Sequence, residues 1–210
     1  MQDLSALVKE LASNPVESPW LEFKHNTNEP SMIAERISGI ANSAAMLGRS
    51  CGYVIWGVED KTHEILGTTF KPETQKVGGQ ELMSWLHNNL SKNADFDFQE
   101  TTVDGFRMII LTIYASRQYP VAFDKCEYIR DGSYTKKLID RPQLASKLWF
   151  ALNSQRAEMM VAAEDCSPED IRRLLAYDSF LTLLNLPDPM SEKALMDVLA
   201  DNCLLYTSDA

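Results

Sequence analysis

An α+β fold is predicted for this chain, on three observations. The run from Ser31 to Leu47 places Ile33, Ile37, Ile40, Ala41, Ala44 and Leu47 at helical spacing. The stretch from Phe98 to Tyr114 breaks at Asp104-Gly105, a pair suited to the type I′ turn of a two-stranded hairpin. Trp20 to Lys24 alternates, sending Leu21 and Phe23 to one side and Glu22 and Lys24 to the other.

Taken in order, a first amphipathic helix occupies 3–13, with Leu4, Leu7, Val8 and Leu11 on one face, and Asn14-Pro15 ends it. Pro19 provides a bend before the strand at Trp20–Lys24. Ser31 is read as the cap of the helix that follows Pro30, and Gly48 as its stop. Tyr53 to Val58 forms a strand that delivers Glu59-Asp60-Lys61 into a turn, and His63 to Leu66 returns. A helix is expected around Gly79–Leu90, then the hairpin Phe98–Val103 with Phe106–Tyr114. A second hairpin pairs Glu127–Arg130 with Ser133–Lys136 around Asp131-Gly132. Asp140 opens a helix to about Asn153.

Beyond that point Ser167-Pro168-Glu169-Asp170 is a capping box with proline at the first helical position. Its helix runs to about Leu184, and Leu186-Pro187-Asp188-Pro189 reads as a linker. Ser191–Asn202 would open another small module, of winged-helix type. The expected division is a nucleic-acid-binding domain at 1–155, a helical connector at 156–188 and the truncated start of a further module at 189–210. The closing CLLYTSDA reads as translated sequencing adapter, so 204–210 are expected to be non-native.

Of 210 residues, 45% are hydrophobic and 24% charged, which is ordinary for a soluble globular protein. No apolar run approaches the roughly 18–20 residues that span a bilayer, and the N-terminus lacks a secretory signal. A cytoplasmic protein with no membrane partner is therefore expected. Cys51, Cys126, Cys166 and Cys203 are scattered without any CxxC pattern, so no zinc site is expected. No GxxxxGK[ST] phosphate loop occurs, so no ATP site is assigned. The net charge of −10 is uneven: residues 1–153 carry 16 Lys+Arg against 19 Asp+Glu, and residues 154–210 carry 4 against 11. The first part is thus near balance, which leaves room for a local basic face.

The residues with the strongest chemical signal are Glu17, Glu22 and Asp60. Acids gathered at the rim of a sheet repel unless a cation or a basic neighbour offsets them. One reading is ligation of Mg2+ or Mn2+, with Lys24 beside the metal to meet a phosphate. The other is fold upkeep, in which Glu22 pairs with Lys24 or an arginine, Glu17 caps a turn and Asp60 shapes the turn after its strand. On one straight strand Glu17 and Glu22 have opposite parity, and the bend at Pro19 would let them converge. Lys61, Arg130, Lys136 and Lys137 are candidates to track a phosphate backbone, against the alternative of solvated surface charge. Tyr128 and Tyr134 alternate with these basic residues and could stack on bases or simply pack. Asn42, within a buried helix, is read as satisfying a nearby backbone group.

Three blocks resemble a known family: ESPWLEFK, then ANSAAMLGRSCGYVIWGVEDKTHEILGT, then YPVAF followed by EYIRDGSYTK. Together, over about 15–150, they resemble the Schlafen/AlbA-like domain. The resemblance implies a mixed β-sheet flanked by helices, here with a C-terminal helical extension. It implies RNA or DNA as partner. In Schlafen ribonucleases two glutamates and an aspartate bind a divalent metal and cleave transfer and ribosomal RNA; by motif position these fall on Glu17, Glu22 and Asp60. The leading expectation is therefore a nucleic-acid-binding domain with metal-dependent endoribonuclease activity, with Glu17, Glu22 and Asp60 as ligands and Lys24 as phosphate contact. The alternative is a non-catalytic DNA-binding module of a bacterial transcriptional regulator whose ATPase lies elsewhere; a scaffold for that ATPase is a third reading. The family's zinc-finger ligands have no counterpart here. A single lobe suggests a homodimer for gripping long RNA.

Overall fold

A computed structural model describes residues 3–13, 18–158, 167, 169–170, 177–183, 185–187 and 191–201. The chain divides into two compact units, 1–159 and 160–210. In the first, helix α1 (Leu4–Ala12) starts at Asp3, whose carboxylate accepts from the backbone N–H groups of Ser5 and Ala6. Strand β1 (Leu21–Lys24) follows, then α2 (Pro30–Met46) and β2 (Cys51–Trp56). Proline itself begins α2, at a position where a missing N–H costs nothing. Ser31 therefore lies inside the first turn, two residues past the cap position, which Glu29 occupies without a side-chain hydrogen bond.

A short hairpin of β3 (Lys76–Val77) and β4 (Gln80–Glu81) turns at Gly78-Gly79 and leads into α3 (Leu82–Asn89), so this helix starts later than its sequence suggested. Strands β5 (Phe96–Val103) and β6 (Phe106–Tyr114) form the expected hairpin. Asp104 and Gly105 both take positive φ at its turn, as a type I′ geometry requires. The four-stranded sheet runs β1-β2-β6-β5, with β1 parallel to β2 and the other pairs antiparallel. It is a mixed sheet, and α2 supplies the crossover between its parallel strands.

Both faces of that sheet are covered. On one, Ile33, Ile37 and Ile40 of α2 pack against Val54, Trp56, Ile109 and Leu111, with Leu82 and Leu86 of α3 beside them. On the other, Val8 and Leu11 of α1 pack against Leu21, Phe23, Ile55, Met108 and Ile110. Period-2 alternation in β1, β2 and β6 divides the residues between these clusters.

A second sheet, β7 (Ala122–Phe123), β8 (Cys126–Asp131) and β9 (Tyr134–Lys137), lies against α2. Its hairpin pairs Asp131 with Tyr134, so Gly132-Ser133 makes the turn rather than Asp131-Gly132. Gly132 takes the positive φ at its first central position, which moves the turn by one residue and each cross-strand partner by two. A 3-10 turn (Leu138–Asp140) then leads into α4 (Pro142–Glu158), whose Leu148 and Leu152 close a third cluster with Ala45, Ile129 and Leu138.

In the second unit the capping box is present: Asp170 N–H donates to Ser167 Oγ, and Ser167 donates back to the Asp170 carboxylate. Helices Tyr177–Leu183 and Glu192–Asp201 follow, the latter begun by Ser191, whose Oγ accepts from the Ala194 N–H. The expected linker residues Leu186 and Pro187 lie outside helix; Asp188 and Pro189 lie outside the described residues, as do 204–210. Among the described residues no helix is long and apolar enough to cross a membrane.

Gly52 shows how closely β2 meets its neighbours. A Cβ built there would stand 2.5 Å from both Ile40 Cγ2 and the Trp20 carbonyl oxygen. The backbone oxygen cannot swing aside as a side chain can. Gly52→Ala should lower the unfolding free energy by about 1–3 kcal/mol through overpacking, read as a reduced urea midpoint at unchanged slope.

Candidate nucleic-acid interface and its buried ion-pair centre

Alternation in β1 turns Leu21 and Phe23 toward α1 and sends Glu22 to the α2 side, beside Val54 in register. Glu22 is 4% exposed. A carboxylate there loses several kcal/mol of hydration, and only well-placed cations recover it. Three are supplied. Arg36 Nε, from α2, donates to Oε1 at 2.6 Å; Arg130 Nη1, from β8, donates to Oε2 at 2.5 Å; Lys24 Nζ stands 3.2 Å from Oε1. Both carboxylate oxygens are thus engaged.

Lys24 joins this centre to the surface. Its ammonium donates to the Phe23 carbonyl at 2.8 Å and to Asp60 Oδ2 at 2.5 Å, besides its ion pair with Glu22. Asp60 lies in the turn after β2 and keeps a side chain 44% exposed. One ammonium therefore bridges a buried acid and an open one.

Burial alone would push the Glu22 carboxyl up. Arg130, Arg36 and Lys24 together outweigh it and hold the group below its usual 4.5. In charge, Lys24, Arg36 and Arg130 stand against Glu22 and Asp60, so these five groups sum to +1. A divalent cation entering there would meet three positive side chains and a carboxylate with a guanidinium on each oxygen. Among the described residues no group of three or more His, Cys, Asp or Glu side chains could hold a metal ion. Glu22 and Asp60 are taken up here by Lys24, Arg36 and Arg130, and Glu17 lies outside the described residues. The placement of Glu22 matches the pairing reading of the sequence, with arginines as partners.

Arg130 is not the surface phosphate contact its sequence position suggested. It is 2% exposed, because β8 docks on α2 with this side chain inward. The docking is polar. Ser38 Oγ donates to the Val121 carbonyl and accepts from the Tyr128 N–H; Ser43 Oγ accepts from the Arg130 N–H. Asn42 donates to the carbonyls of Val121 and Tyr128 and accepts from the Val121 N–H at 2.7 Å. The helix thus serves β8 as a neighbouring strand would, and Asn42 satisfies backbone as its sequence position implied. Lys61, Lys136 and Lys137 are exposed.

The residue that sequence reasoning passed over is Arg36. Its signal was available: it stands three residues after Ile33 and four before Ile40, on the stripe that the helix buries. An arginine on an apolar stripe asks for a buried acid, and Glu22 was the acid nearby.

The family model described as "Schlafen, AlbA_2" matches residues 17–139. Among solved structures, the chain is similar to the DIP2311 protein from Corynebacterium diphtheriae, at 17% identity and a TM-score of 0.41, over 63% of this chain and 26% of that one. It is also similar to the N-terminal domain of a RecG-related protein from Nitrosomonas europaea, at 20% identity and a TM-score of 0.39, over 57% of this chain and 76% of that one. The chain spans about a quarter of the length of the first of these. No curated protein matches it.

The ion-pair centre should be visible in acid. A carboxyl held below its ordinary value contributes stability that is present above about pH 4.5 and is lost as pH falls through its depressed folded value. Glu22→Gln should cost about 3–5 kcal/mol at neutral pH, since two guanidinium groups lose their counter-charge. It should also remove that acid-side loss. Urea unfolding from pH 7 to pH 3 checks both; a variant as stable as wild type at neutral pH would refute the assignment.

Proposed function

As the chain belongs to the Schlafen AlbA_2 family, we propose that it is a nucleic-acid-binding module that holds its partner without cutting it, the part of a larger regulator that contacts RNA or DNA. The observation that carries the non-catalytic half is the state of Glu22, with both oxygens committed to Arg36 and Arg130. A metal at Glu22 would have to displace or share these guanidinium contacts. The binding half draws on the family and on the exposed lysines 61, 136 and 137, which can release counterions from a phosphate backbone. With the chain at −10 overall, such contact depends on local basic groups.

A second reading is kept by one observation. The Lys24 ammonium lies between the carboxylates of Glu22 and Asp60, a position that suits a cation. Metal-dependent endoribonuclease activity on transfer- or ribosomal-RNA substrates would use Glu17, Glu22 and Asp60 there with Mg2+ or Mn2+, once Lys24 moved to a phosphate.

Incubation of the chain with transfer RNA in Mn2+, in Mg2+ and in EDTA separates the two. The expected result is intact RNA in every lane and a complex whose affinity falls linearly with log salt. Lys136→Glu with Lys137→Glu should weaken the complex by roughly tenfold or more, at all sequences alike. Metal-dependent cutting abolished by Asp60→Ala would overturn the non-catalytic reading in favour of the second.

A further inference from the structure

We propose that the tip of the β8–β9 hairpin is a stacking platform for single-stranded nucleic acid, where Tyr134 takes an unpaired base and Lys136 and Lys137 take the flanking phosphates. The inference rests on the nucleic-acid reading above and narrows it to strands whose bases are free.

Tyr134 is the first residue of β9 and is 68% exposed. Alternation puts Lys136 on the same face, and its ammonium lies 5.5 Å from the centroid of the tyrosine ring. That contact steadies the ring by cation–π attraction while leaving much of its surface open. Lys137 follows on the opposite face of the strand, so positive charge stands on both faces of β9 just beyond the ring.

Charge around the ring favours an anion. The carboxylate paired across the turn, Asp131, is held by Arg141 Nε at 2.8 Å. Leaving out Arg130, which is buried against Glu22, the sequence from Tyr128 to Arg141 carries Lys136, Lys137 and Arg141 against Asp131 and Asp140. The platform is also ordered before anything binds, since Ser38 and Ser43 hold the β8 backbone and Glu22 holds Arg130. A rigid aromatic loses little entropy on contact. Base faces are shut inside a duplex and open in a single strand, so a lone exposed ring discriminates between the two by stacking.

The test is fluorescence anisotropy of the full chain with a short labelled strand, as DNA and as RNA, beside the duplex of the same DNA sequence. The wild type should favour the single strands. Tyr134→Ala should weaken their binding by roughly tenfold or more and leave the duplex unchanged, and Tyr134→Phe should keep the wild-type affinity within about twofold. Equal binding of strand and duplex, or an unchanged Tyr134→Ala protein, overturns the platform while the nucleic-acid reading stands. A wild type that binds no nucleic acid removes both. Thermal melting of each variant shows that the substitution at this exposed position leaves the fold intact.

Discussion

A carboxylate on the buried side of β1 has to be neutralised where it stands, and the way Glu22 is neutralised fixes three elements relative to one another. Arg36 comes from α2, Arg130 from β8 and Lys24 from β1 itself. Apolar packing around α2 would tolerate some sliding of the second sheet. A guanidinium bonded to a particular oxygen tolerates much less, because displacing it leaves two buried charges unpaired. The centre sets the register of the hairpin on the helix. Its net contribution to stability can be small while its contribution to position is large.

Polar groups along α2 complete that docking, which is why this helix is buried on nearly all sides yet is not uniformly apolar. Ser38, Asn42 and Ser43 are fully buried and each bonds to backbone of β8 or of Val121 just before the second sheet. Gly39 lies in the same stretch, where a Cβ would stand 3.3 Å from Thr135 Cγ2. The small residue admits β9 and the polar ones hold β8. The exposed face of the hairpin therefore inherits its position from the helix core.

Much of the fold was legible because its signals are local. The Asp104-Gly105 turn, the alternation of β1 and the stripe of α2 each depend on a few neighbouring residues, and each is found as read except that Leu47, expected at the end of the stripe, lies past the helix and is exposed. Where local rules compete, the sequence misled by one or two residues. Pro30 took the first helical position and left Ser31 inside the helix; Gly132 took the positive φ and moved the turn off Asp131. The site was legible only in part. Spacing brought Glu22, Lys24 and Asp60 together, as the bridge through Lys24 shows. It could not show that Arg36, 14 residues away, and Arg130, 108 residues away, would take up the acid first. Contacts at that separation are a property of the docked helix and hairpin, and no window along the chain contains them.

This limits what a motif of acidic residues can say about chemistry. Three carboxylates in a familiar order specify which atoms are present, and the surrounding charge decides what those atoms bind. Glu22 faces two guanidinium groups and an ammonium, so its electrons are already shared among donors that a metal would have to displace. For the same reason, loss of function after substitution of Glu22 would not identify a catalytic acid. Removing it takes the carboxylate from Arg130, one of the contacts that seat β8, and with it the lysines of β9, on α2. Asp60 is the sharper probe. It is half open to solvent and touches the centre through Lys24 alone among the ion pairs described, so its removal leaves the Glu22–Arg36–Arg130 contacts in place. An effect at Asp60 with an unshifted fold would speak of chemistry at the surface, whereas an effect at Glu22 speaks first of architecture.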